Sequence, residues 1–167
     1  MRLIAFSKSN EIENCKFFDS NDCLLYYSKT EKSEGLSKTN IFDVNGNLVS
    51  SVSYADSKGS KPNSYVIEIS GRNLVFSFDQ VGDLVCDEDK LRVKRVFLDK
   101  WFNLLKDENR FCSVRSFTFI KDWLSAKYTV DVLNVDETVL CVSLCVMKFI
   151  SLYEAAIFST PHYFSKI

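Results

Sequence analysis

Much of the chain alternates short apolar runs with turn signals. In NLVFSFD (73–79), Leu74, Phe76 and Phe78 fall on one side and Val75, Ser77 and Asp79 on the other, the period of two expected of a half-buried strand. SAKYTVDVL (125–133) repeats the pattern, with Tyr128, Val130 and Val132 opposite Thr129 and Asp131. CLLYYSK (23–29) is a short apolar run closed by lysine. TNIFDV and NLVSSVSY flank Asn45-Gly46, and SYVIEIS and NLVFSFD flank Gly71-Arg72. Asn-Gly suits a tight hairpin because both residues tolerate positive φ. Strand, tight turn, strand, repeated, reads as antiparallel β. The polar stretches EKSEGLSK (31–38) and DSKGSKPN (56–63) read as solvated loops. No fixed-period repeat and no linker divides the chain, so a single domain over 1–167 is expected.

One stretch reads two ways. Val93, Val96, Phe97, Trp101, Leu104 and Leu105 stand at helical spacing, and the acidic triplet 87–89 could open such a helix. LRVKRVFL also alternates in part and is rich in β-branched and aromatic residues, which favours strands.

The run TVLCVSLCVMKFISLYEAAIF (138–158) is different in kind. From Val139 to Met147 only Ser143 is polar, and a serine there can bond back to the carbonyl four residues earlier. Asp136, just before the run, suits a helix N-cap. A helix over these residues has no solvent face and must be enclosed by protein or lipid. A membrane span needs roughly 18 apolar residues with few charges, whereas Lys148 and Glu154 interrupt this one. Residues 137–147 as helix measure about 16 Å, close to the roughly 17 Å of a five-residue strand. A short-stranded barrel threaded by a helix over 136–150 is therefore favoured over a helix on an open sheet or a membrane tail. Val139, Leu140, Val142, Leu144, Val146 and Met147 would form its core, and 151–167 would follow as a tail.

Composition narrows the function. A chain of 167 residues buries a sizeable core without disulfides or metals. A net charge of −1 offers no basic excess to meet nucleic-acid phosphates. The six cysteines form no CxxC pair, and the opening MRLIAFSKSN carries too short an apolar run for a secretory leader. A cytoplasmic protein with reduced thiols is the expectation.

YTVDV followed by VDETVLCVSLCVMKFI resembles the end of the tubby C-terminal-like superfamily, which includes LURP-one-related proteins and phospholipid scramblases. The matching positions are Tyr128, Val130, Val132, Asp136 and the run from Val139. IFDVNGNLVSSV is similar to that family's D-x-x-G turn, on Asp43 and Gly46. The resemblance spans Lys16 to about Ile150 and is most specific in its last part. It implies a mainly β fold: a closed antiparallel barrel of about twelve short strands around a central apolar C-terminal helix. The chain is nearer in size to LURP-one-related or small bacterial members than to a full tubby domain. It lacks the proline-rich leader and cysteine cluster of scramblases.

Little catalytic chemistry is legible. DVNGN is not a calcium loop: glycine stands fourth rather than sixth, and Tyr54 occupies position twelve. Cys141 and Cys145 share a helical face without a nearby histidine or acid and read as small buried hydrophobes. His162 has no nucleophile motif beside it. No phosphate loop, metal-ligand spacing or nucleophile elbow is present, so neither catalysis nor a cofactor is expected. The clearest positive signal is DKLRVKRV. On a strand, Lys90, Arg92 and Lys94 would share a face with Arg95 opposite, a row able to hold a phosphate or an anionic lipid head group. The resemblance adds phosphoinositide binding as an expectation. The plain alternative is a solvated strand face neutralised by Asp87, Glu88 and Asp89. Two further readings stand beside lipid binding at the cytoplasmic membrane surface: a protein-interaction or structural module using the C-terminal tail, and a carrier of an apolar ligand.

Overall fold

The computed structural model describes residues 1–8, 11–55, 62–97, 101–116 and 125–159. Within them lie β1 (Arg2–Lys8), β2 (Glu11–Phe18), β3 (Leu24–Ser33), β4 (Leu36–Asp43), β5 (Leu48–Ala55), β6 (Ser64–Ile69), β7 (Arg72–Phe78), β8 (Leu84–Cys86), β9 (Leu91–Phe97), β10 (Trp101–Lys106), β11 (Asn109–Ser116) and β12 (Ser125–Val132). Each strand pairs antiparallel with its sequence neighbour, and β1 also pairs with β12 through registers such as Leu3↔Val130. The sheet therefore closes as an up-and-down barrel of twelve strands with no free edge. The stretch that reads two ways is strand on both sides of residues 98–100, in β9 to Phe97 and in β10 from Trp101.

Period-two alternation sets the two faces. Leu3, Ala5, Phe17, Ile41, Ile67, Phe76, Val93, Leu104, Val114 and Val130 point inward and are buried. Lys38 and Glu68 pair on the outer face at 3.5 Å, as do Arg2 and Asp131 at 2.7 Å. Apolar-in and charged-out is the inverse of a barrel that spans a bilayer.

The turns refine the expected hairpins. Ser70-Gly71 and Asp107-Glu108 have positive φ at both residues and close two-residue loops. At Asn45-Gly46 only the glycine does, at φ +85. There Asp43 Oδ1 accepts the amides of Asn45 (2.9 Å) and Asn47 (2.8 Å), and the Gly46 amide donates to the Asp43 carbonyl. Asp79 organises residues 79–83 in the same way, and Asp19 residues 19–23. Residues 31–38 are not a solvated loop but a hairpin, with Glu31↔Lys38 and Ser33↔Leu36 paired across Glu34-Gly35. Its inward positions carry small polar residues such as the buried Ser37, which hid the strand from a hydrophobicity reading.

After β12 the chain makes a 3₁₀ turn, Val135–Glu137, and then α1, Thr138–Ser159. The cap is Asn134 rather than Asp136: the Asn134 side chain accepts the Asp136 amide at 3.2 Å. Asp136 falls inside the 3₁₀ turn, where its own amide is one of the orphan donors. Every position from Leu140 to Ser151 is buried, including Lys148; Val139, at the entrance, is half-buried. A helix with no exposed stripe inside a closed sheet is a plug. Phe149 stacks on Tyr128 at 4.2 Å and meets Phe102 edge-on. The helical backbone runs past residue 150 to Ser159, so the expected tail begins as helix; residues 160–167, with His162, lie outside the described residues. No helix among the described residues is long and apolar enough to cross a membrane.

Candidate functional site

The basic stretch 90–95 does not form the single row its spacing suggests. Lys90 lies in the β8–β9 turn at φ +51, ahead of the strand, where its amide donates to the Asp87 carbonyl. The acidic triplet serves this turn instead of opening a helix. Arg92 does project from the outer face, but carboxylates hold it: Asp79 at 2.7 Å, Asp83 at 3.4 Å and Glu108 at 3.8 Å. Burial works against the Arg92 charge, yet these partners raise its pKa overall. Burial alone would raise the Asp79 carboxyl, but the Asp83 and Val81 amides and the Arg92 guanidinium bring it below the usual range. Lys90 faces Asp107 at 3.3 Å. Lys94 is exposed and has no ion-pair partner among the described residues. Arg95 pairs with inward Phe102 at an irregularity between β9 and β10, and its amide donates to Asp83 Oδ1 at 3.1 Å. Lys90 and Arg92 thus line a cleft of about 370 Å³ shared with Asp87, Asp107 and Glu108. Two cations against three carboxylates leave little field to attract an anion.

A second surface emerges only from the strand register. Lys127↔Phe6, Phe6↔Lys16, Lys16↔Tyr27, Tyr27↔Phe42 and Phe42↔Leu48 are successive cross-strand partners, so one outward row runs from β12 through β1 to β5. Beside it runs Trp101, Arg115, Thr129, Ile4, Phe18 and Leu24. Neither row contains a carboxylate. Cations lie over the rings: Lys127 Nζ is 5.5 Å from the Phe6 centroid, Lys29 Nζ 5.7 Å from Tyr27 and the Arg115 guanidinium 5.7 Å from Trp101. Phe6 meets Phe18 edge-on, and Tyr27 stacks on Phe42 at 5.3 Å. Phe6, Trp101 and Leu48 are exposed, Leu48 at 59%, and Tyr27, Phe18 and Phe42 are half-buried. Exposed apolar residues gathered in a patch, not scattered singly, mark an interaction surface.

Sequence reading missed this wall because its members come from eight separate strands. The one local trace is a basic residue set two positions from an aromatic, as in Lys16 and Phe18, or Tyr27 and Lys29. It gains meaning only once the barrel is closed.

The interior is occupied. Cys15, Cys112, Cys141 and Cys145 are buried among the helix and the inner wall. Burial pushes Cys15 up to about 11, and a hydrogen bond with the Cys112 thiol, together with burial, raises Cys141. These buried thiols pack as small hydrophobes.

No family model matches the chain, and no curated protein matches it. The X-ray structure of a protein from Arabidopsis thaliana is similar, with 17% identity, 89% of this chain and 90% of that chain covered, and a TM-score of 0.49.

Proposed function

We propose that this chain is a non-catalytic binding module, of the tubby C-terminal-like kind its sequence resembles, that docks on anionic phospholipid at a membrane surface. The observation that carries the reading is the outward row in which Lys127, Phe6, Lys16, Tyr27 and Phe42 alternate cation with aromatic. Each basic residue near a charged membrane contributes about 1 kcal/mol, and aromatic rings favour the head-group layer. The plugged interior speaks against an apolar-ligand carrier. The carboxylates around Lys90 and Arg92 speak against that pair as the main anion site.

Flotation on vesicles tests it. The wild-type chain should float with phosphatidylserine–phosphatidylcholine vesicles at low salt and not with pure phosphatidylcholine. Lys16→Glu/Lys127→Glu should lose flotation, while Lys90→Ala/Arg92→Ala should keep most of it. A wild-type chain that stays at the bottom of the gradient with anionic vesicles ends the proposal.

A further inference from the structure

We infer that the barrel lies on its side at the bilayer, with the outer wall of β1–β4 down and Phe6, Phe18, Tyr27 and Phe42 inserted at head-group depth. The inference rests on the lipid-docking reading and adds to it a face, a depth and an orientation.

Shape and charge both lead there. A closed barrel of twelve strands is convex, so a flat surface meets only about a third of its girth, or roughly four strands. The four adjacent strands that concentrate aromatic surface are β1 to β4: Phe6 and Phe18 touch edge-on, Tyr27 stacks on Phe42, and the diagonal between them is filled by Lys16. A bulging wall offers no groove for a helix or an extended peptide, whereas a bilayer deforms around it. The cations complete the match. Lys127 and Lys29 lie across the Phe6 and Tyr27 rings, and long basic side chains keep their charge at the phosphate level while their stems follow apolar surface. The wall therefore presents rings to the glycerol layer and ammonium groups to the phosphates around them. In a ring of twelve strands β9 stands opposite β3, so this pose turns Lys94 and the Arg92 cleft away from the membrane.

The test places an environment-sensitive fluorophore on Tyr27→Cys or on Val96→Cys, which is exposed on β9, each in a Cys23→Ser background, with phosphatidylserine-containing vesicles. The Tyr27 site should shift to the blue and be quenched by lipids carrying a shallow nitroxide; the Val96 site should do neither. Unlabelled Phe6→Ser/Phe42→Ser should partition about tenfold or more weakly while the wild type binds. Flotation of the wild type with a blue shift at Val96, or at neither site, overturns the orientation and leaves the lipid reading standing. No flotation of the wild type overturns both.

Discussion

Ser143 Oγ, inside the barrel on α1, lies 2.6 Å from Ser50 Oγ on β5 and donates to the Val139 carbonyl at 2.7 Å. A carbonyl only accepts, so the Ser143 proton is committed, and Ser50 must be the donor between the two hydroxyls. This fixes the rotation of the helix against one strand in an otherwise apolar contact. Ser143→Ala should leave the buried Ser50 hydroxyl without its acceptor and destabilise the fold by about 1–3 kcal/mol. Ser50→Ala/Ser143→Ala should lose less than the two single changes added together, because it removes both polar groups. Urea unfolding of the four proteins measures this coupling.

The plug itself carries more. Leu144 is fully buried in the second turn of α1, with no solvent-side freedom to collapse into a vacated space. Leu144→Ala should cost about 2–5 kcal/mol, while Val135→Ala, 60% exposed at the mouth, should fall within about 0.5 kcal/mol of the wild type. The urea midpoint should drop for the first and hold for the second, with slopes unchanged.

How far each feature could be foreseen depended on whether its signal was local. The helix declared itself because Val139 to Met147 leaves one polar side chain, and the enclosure followed from that absence of a wet face. The β6–β7 hairpin was legible in Leu74 and Phe76. β2 was not: EIENCKFF mixes polar residues into both faces. β8, at three residues, is too short to show a period. The basic stretch misled because Lys90 sits in a positive-φ turn and Asp79, eleven or more positions upstream of the basic residues, reaches Arg92 across β8. The aromatic–cationic wall left only the faint local trace of Lys16 near Phe18 and Tyr27 near Lys29, since its pairs depend on registers spanning most of the chain.

Acid should weaken the fold through Asp79. Its folded-state pKa lies below the ordinary carboxylate value, with burial opposing the shift and the Asp83 and Val81 amides and Arg92 outweighing it. A depressed carboxylate stabilises fully above the unfolded pKa near 3.9, and the contribution is lost as pH falls through the folded value. Wild-type stability should therefore decline from about pH 5 downward. Asp79→Asn should be less stable at pH 7 and show a shallower decline. Asp43, lowered chiefly by the Asn47 side chain and amide, retains part of the slope. Unfolding free energies from pH 2 to 7 check this; identical slopes would remove Asp79 from the account.

Gly46 tests backbone conformation apart from crowding. A Cβ there would meet only the Tyr27 hydroxyl, at 3.9 Å, which is ordinary contact. Its φ of +85 is the difficulty, so Gly46→Ala should destabilise by about 1 kcal/mol. Gly46→Asn should cost less, because asparagine tolerates the left-handed region. Equal midpoints for alanine and glycine would show that the turn relaxes to negative φ.

Thiol chemistry probes the closure of the barrel. Of the six free cysteines only Cys23 is exposed. The others are shielded, and burial holds Cys15 at about 11 and raises Cys145 well above the ordinary thiol value. Thiolate is the reactive form, so at pH 8 all five are inaccessible and Cys15 and Cys145 are protonated as well. Ellman's reagent should titrate one thiol rapidly in the native protein and all six in guanidinium. Cys23→Ser should abolish the fast phase without moving the unfolding midpoint, its side chain being at the surface. A native protein that yields Cys141 or Cys145 as quickly as Cys23 has a helix open to solvent, and the plugged barrel would not describe it.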